Sequence, residues 1–220
     1  LSRAVHRITG RSVSAVYALA VDVGGTKVEA ALVDPSGVVL PGSRFRAPTG
    51  PERDSDGLAL SVDEVVGRTT AALPVGATLV GAGIGSAGPV NELEGRVSPL
   101  NLGVWRDYPL RDQVAATLPD IPVSLRMDGI CIALAEHWVG AGRGYDNVMG
   151  MIVSTGIGGG LVLHGNTVSG PTGNAGHIGH VEVAGFDDPC LCGGIGCVEA
   201  IASGPKTVAW ARHQGWTGTT

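Results

Sequence analysis

The sequence predicts an α/β protein built from two similar halves, and two observations carry that expectation. Residues 15–23 and 28–33 are β-rich apolar runs joined at Asp22-Val-Gly-Gly-Thr-Lys27. Residues 148–153 and 161–164 repeat the arrangement around Ser154-Thr-Gly-Ile-Gly-Gly-Gly160. Two strand–turn–strand units at the head of consecutive segments imply a duplicated fold with phosphates held between its halves. A chain of 220 residues with 44% hydrophobic content can bury a sizeable core in one large or two small domains. The division expected is a flexible extension over 1–14, an N-terminal α/β domain over 15–120 and a partial C-terminal α/β domain over 121–220.

The elements follow in order. At the first hairpin, Gly24 and Gly25 permit positive φ and close approach of a phosphate, Thr26 adds a hydroxyl with Lys27 beside it, and Asp22 can hold Mg²⁺ through water. An ordinary Gly-Gly hairpin with an exposed Asp and Lys accounts for the same residues. Asp34-Pro-Ser-Gly37 is a turn, 38–46 a third strand and 49–57 a loop. Apolar positions at 58, 62, 65, 66 and 69–73 approximate helical spacing, and Pro74 ends that helix. A buried strand over 78–84 runs into Gly85-Ser-Ala-Gly-Pro-Val90, the kind of strand exit at which open α/β sheets place ligands, or a plain turn. Residues 121–126 form a short strand, and a helix runs from 129 to about 139. Asp128, at that junction, either accepts a proton from an attacking hydroxyl in phosphoryl transfer or simply caps the helix. A last helix spans 205–213.

Between the second hairpin and that helix lies the densest chemistry in the chain. His180, Cys190, Cys192 and Cys197 offer three thiolates and one imidazole, the tetrahedral set that Zn²⁺ favours in closed structural sites. Gly193, Gly194 and Gly196 let the loop turn tightly around one ion. A disulfide or a set of buried thiols is the alternative; Cys190 and Cys192 are too close to bridge easily, and three cysteines leave one over.

His180, the run Cys190-Leu-Cys-Gly-Gly-Ile-Gly-Cys-Val-Glu199 and the following Ala-Ile-Ala-Ser-Gly resemble the zinc signature of the ROK family (repressor, open reading frame, kinase), bacterial sugar kinases and sugar-responsive repressors. The resemblance implies an actin-like ATPase (ribonuclease H-like) fold with duplicated domains, and phosphorylation of glucose or a related hexose by ATP. It implies ATP, Mg²⁺ and a structural Zn²⁺ whose histidine also lies against the sugar. Carried onto this chain, Asp128 is the catalytic base, and Gly88, Asn101, His180 and Glu199 are sugar neighbours. The hairpin at Asp22 to Lys27 is the first phosphate motif; Thr155, Gly156, Gly158 and Gly159 belong to the second.

Two positions depart from the family pattern. Where its tetrad reads Asn-Asp-Ala-Asn, this chain has Met127-Asp128-Gly129-Ile130, and methionine offers no donor to a sugar. Where it reads Ala-Gly-Glu-x-Gly-His, this chain has His177, which cannot replace a carboxylate acceptor, although a neutral imidazole can take one hydroxyl proton. The family's second domain also continues past the point at which this sequence stops, so exposed apolar surface and self-association are expected. A catalytically impaired, zinc-stabilised sugar-binding remnant is therefore the alternative to an active kinase.

Composition narrows the partners. Net charge is −5, with no basic cluster beyond the N-terminal stretch, which disfavours nucleic acid and hence a repressor. No segment approaches the roughly 18 uninterrupted apolar residues of a membrane span. Residues 1–17 are basic but lack the apolar core of a signal peptide. A cytoplasmic homo-oligomer, a dimer, acting on a small-molecule sugar and ATP is the expectation, and reduced thiols suit that compartment.

Overall fold

The computed structural model describes residues 14–50 and 52–219. The extension expected over 1–14 lies outside that range, Ser14 excepted.

Strand β1 (Val16–Val23) is the centre of the first half. It pairs antiparallel with β2 (Lys27–Val33) on one edge and parallel with β4 (Thr78–Ser86) on the other. The five-stranded sheet runs β3-β2-β1-β4-β7, with β3 at Phe45–Pro48 and β7 at Val123–Met127. β7 pairs parallel with β4, so this sheet draws its last strand from beyond residue 120. Helix α1 (Ser55–Ala71) covers one face, placing Leu58, Val62, Val65 and Val66 against Leu19, Val21 and Val23 of β1, all buried. Trp105, fully buried and stacked on Tyr108 at 4.1 Å, closes the end of the core with Leu110 of α2 (Leu110–Ala116). The short hairpin β5 (Val90–Asn91) and β6 (Arg96–Val97) leads into that loop.

Two expectations change. The third strand, expected over 38–46, is reduced to Phe45–Pro48 with a single bridge from Val39 to Val33. Pro41-Gly42 turns the chain instead, Gly42 at φ +79°, and the buried Ser43 hydroxyl accepts the Leu32 N–H that a ladder would have used. Helix α1 begins at Ser55 rather than 58, because the Asp54 carboxylate accepts the Gly57 N–H at 2.8 Å and caps it.

The second half repeats the first in miniature. β8 (Val148–Val153) and β9 (Ile157–Leu163) form the second hairpin, extended by β10 (Asn166–Thr167) into a three-stranded sheet. Helix α3 (Asp128–Trp138) leaves β7 and packs across β8 and β9. Glycines bring these backbones together: a Cβ on Gly129 would lie 2.2 Å from the Gly159 carbonyl oxygen, and one on Gly150 would lie 2.8 Å from the Ala133 Cα. Close helix–strand approach, as much as phosphate cradling, accounts for the glycine content. The chain then forms a 3₁₀ turn at Ile178–His180, a loop, and two consecutive helices, α4 (Val198–Ala202) and α5 (Gly204–His213). Among the described residues, no helix is long and apolar enough to cross a membrane.

Candidate functional site

The ligand atoms of His180, Cys190, Cys192 and Cys197 all lie within 4.8 Å of one another. Cys190 Sγ is 3.5 Å from His180 Nδ1, and Cys192 Sγ is 3.7 Å from Cys197 Sγ. A tetrahedral ion with bonds of about 2.3 Å to sulfur and about 2.0 Å to nitrogen spaces its ligands by roughly 3.8 Å and roughly 3.5 Å. The donor set and its spacing therefore fit zinc. All four cysteines are unbridged, so the disulfide alternative is not what the loop builds. Gly193 and Gly196 adopt φ of +90° and +71°, and a Cβ on Gly196 would meet the Phe186 carbonyl oxygen at 2.8 Å. Those two glycines are required by the backbone; Gly194 has an ordinary φ.

At the first hairpin the Gly24 N–H donates to the Lys27 carbonyl at 3.0 Å, closing a tight turn. Gly24 and Gly25 are free to take positive φ, and neither does. What requires glycine at 25 is Asn101, whose Nδ2 would lie 2.7 Å from a Cβ there. Asn101 thus reaches the first phosphate motif itself. Lys27 turns its ammonium to Glu29 at 2.8 Å, and Arg44 and Arg46 join the same carboxylate. Thr49, unremarked in the sequence, anchors the turn: its hydroxyl donates to the Gly24 carbonyl at 2.7 Å and its N–H to the Thr26 carbonyl at 3.0 Å.

Asp128 is the first residue of α3, and Met127 occupies the cap position. Its Oδ1 accepts the Gly129 N–H at 2.7 Å. Burial raises its pKa, the Gly129 bond pulls it back, and the Asp22 charge raises it further. Asp22, at the rim, is also raised by burial, with Lys27 opposing. The Asp22 charge thus acts on the Asp128 carboxylate. Cys131, one helical turn on, faces Gly85, and burial with the Asp128 charge raises its thiol to about 11, which keeps it protonated.

The second turn comprises Ser154, Thr155 and Gly156, with the Ser154 N–H donating to the Gly156 carbonyl at 2.8 Å. Gly158 and Gly159 lie inside β9. Glu199, in α4, sends Oε2 to the Ile157 N–H at 2.7 Å, and a Cβ on Gly156 would lie 2.3 Å from that oxygen. Gly156 is glycine because Glu199 crosses over it.

Gly88 is buried at the exit of β4, and a Cβ there would meet Met127 Sδ, Asn174 Oδ1 and His177 Cε1 at 3.4, 3.4 and 3.5 Å. Met127 is fully buried, so the departure at that position is a core residue. His177 stacks edge-on against His180, ring centroids 4.3 Å apart. Burial lowers its pKa and the His180 ring lowers it further, while Glu199 opposes both. Asn174, which carried no sequence signal, spends its amide on Val90 N–H at 2.9 Å and on the Val90 and Thr172 carbonyls, locking the Gly88 turn to the 170–176 loop. The structure thus sets Asp128 beside Gly85, Gly88 beside Met127 and His177, His177 against His180, and Glu199 over Gly156, while Lys27 is turned to Glu29.

The chain is similar to known proteins. The chain is 34% identical over 196 residues to a glucokinase of Streptomyces coelicolor, covering 89% of this chain and 59% of the relative. It is 37% identical over 202 residues to an N-acetylmannosamine kinase of Yersinia pseudotuberculosis, covering 90% and 64%. Among solved structures, a ROK family glucokinase from Streptomyces griseus in complex with glucose and AMPPNP superposes with a TM-score of 0.77 at 32% identity, covering 90% of this chain and 61% of that one. The chain thus spans about three fifths of the length of the relatives it matches. The fold is that of the actin-like sugar kinases. The ROK family model matches residues 18–218, nearly everything described, and the chain belongs to the ROK family.

Proposed function

We propose that the protein transfers the γ-phosphoryl group of ATP to a hydroxyl of a hexose, with Asp128 as general base. The observation that carries this reading is the half-buried Asp128 carboxylate at the β7–α3 junction, on which the Asp22 charge acts. In the reaction, the attacking hydroxyl gives its proton to an Asp128 oxygen as the sugar oxygen bonds to the γ-phosphorus and ADP leaves. Gly25, Thr26, Thr155 and Gly156 present turn backbone to the phosphates from opposite sides, so most of the work is positioning. Asn101, the Gly88 backbone, His180 and the free Oε1 of Glu199 orient the sugar. Asp22 would hold Mg²⁺, which when bound neutralises phosphate charge. Zn²⁺ on His180, Cys190, Cys192 and Cys197 fixes the loop that carries His180 and leads into Glu199.

The sugar is decided where this chain departs from its family. The relatives carry the names glucokinase and N-acetylmannosamine kinase, and Met127 and His177 stand where the family pattern has polar residues that contact the sugar. ADP release from ATP should be measured with glucose, mannose, N-acetylmannosamine and fructose, on protein whose zinc has been quantified. One sugar should drive turnover. The buried Met127 favours a second reading, a sugar-binding protein without turnover; zinc at one per chain, measurable sugar affinity and no ADP release with any sugar would select it.

A further inference from the structure

Glu199 reaches two sites at once. It sits in the first turn of α4, directly after the metal-loop cysteine Cys197, which is that helix's cap residue. The start of α4 is pinned to the 3₁₀ turn of His180, the Val198 N–H donating to the Val181 carbonyl at 3.0 Å. From there the Glu199 carboxylate crosses 42 residues of sequence to accept the Ile157 N–H at 2.7 Å. It lies so close over Gly156 that no side chain fits beneath it. The far side of the same turn is held by the next segment: the Gly204 N–H donates to the Ser154 carbonyl at 2.8 Å, and the Ser203 N–H donates to the Glu199 carbonyl at 3.2 Å. The second phosphate turn is therefore bracketed by one short piece of chain whose leading end is the metal loop.

We infer that Glu199 is a positioning residue that ties the metal loop to the second phosphate turn, so that metal occupancy is transmitted to the backbone that meets the nucleotide's phosphates. Its nucleotide consequence rests on the kinase reading above; the mechanical tie does not. When the four ligands are drawn together, Cys197 fixes the start of α4, the Glu199 carboxylate stays over Gly156, and the turn keeps its shape. When the metal leaves, α4 loses its anchor and the Ile157 N–H loses a charged acceptor, a stronger bond than a neutral one.

The test is amide hydrogen exchange at Ile157, with Val21 of the first sheet as the reference for global folding. In zinc-loaded protein Ile157 should be protected, and chelation should speed its exchange by about tenfold or more while Val21 changes little. Glu199→Ala should exchange fast with or without chelator, whereas Glu199→Gln, which keeps an oxygen for the N–H, should stay slow when loaded. If the alanine variant does not fold, Glu199→Asp, one methylene too short to reach, should show the same fast exchange. Unchanged protection of Ile157 in folded Glu199→Ala or Glu199→Asp, or a chelator effect that persists undiminished in them, would overturn the inference. AMPPNP titrated with Mg²⁺ and no sugar should bind the alanine variant about tenfold more weakly and the glutamine variant nearly as well as the parent. Absence of AMPPNP binding to the parent, with the exchange pattern intact, would count against the kinase reading and leave the tie standing.

Discussion

The role proposed for Asp128 comes with a cost to stability, and the two can be separated. Its pKa is raised in the fold by burial, so protonation favours the folded state at low pH and that contribution is lost as pH rises through the folded pKa. At neutral pH the ionised group is a burden. Asp128→Asn keeps an oxygen for the Gly129 N–H and removes the charge, so its melting temperature at pH 7 should equal or exceed that of the parent. Its kcat should fall by about 10²–10⁴. In the parent, the acid limb of the pH–rate profile should lie above the ordinary carboxylate value of 3.8. A limb at or below 3.8 would assign the titration to another group. Asp128 stood out in the sequence by its place at a strand-to-helix junction, where base and cap readings weighed equally until the family resemblance favoured the base. Thr49 and Asn174 did not, because their partners are turn backbone 25 and 84 residues away and no local pattern encodes them.

At the scale of elements, the strands and helices with continuous apolar runs were readable, and their ends were not. The strand expected over 38–46 failed because Pro41-Gly42 breaks it in a region where Val38, Val39 and Leu40 suggest continuity. α2 escaped notice because seven residues are two turns, too few for a period to emerge. The packing of α3 on β9 was also hidden, since it depends on glycines meeting glycines across the sequence. Gly129→Val should therefore destabilise the second half by about 1–3 kcal/mol or more, its Cβ falling on the Gly159 carbonyl. Leu58→Ala, in α1 over β1, should cost about 2–5 kcal/mol by opening a cavity in the first half. Chemical denaturation followed by Trp fluorescence measures both; a cost under about 0.5 kcal/mol for either would contradict the packing described.

For the whole molecule, the metal loop and the free edge of β8 set the behaviour. The Cys–His spacing over 18 residues pointed to the cluster, with a disulfide or buried thiols as the alternative, and the unbridged geometry favours the cluster. Metal bound only by the native arrangement stabilises it by mass action, so chelation should lower the melting temperature, and Cys192→Ser should lower it without added chelator. An unchanged melting temperature in both cases would remove the structural role of the ion. β8 is an edge strand without a charged residue, and Met149, Met151, Ile152 and Val153 are exposed on it. Light scattering should show self-association rising with concentration, and Met151→Lys should reduce it. Its twin in the first half, β1, has both edges paired, a difference no composition figure conveys.

Phosphoryl transfer from ATP to a hexose through Asp128 is tested by following radiolabelled γ-phosphate from ATP onto the sugar with the parent and with Asp128→Asn. Labelled sugar phosphate formed with one hexose by the parent, and reduced at least about a hundredfold in the variant, is the predicted result. Equal labelling by the two proteins, or none by zinc-loaded parent with any hexose, would contradict it.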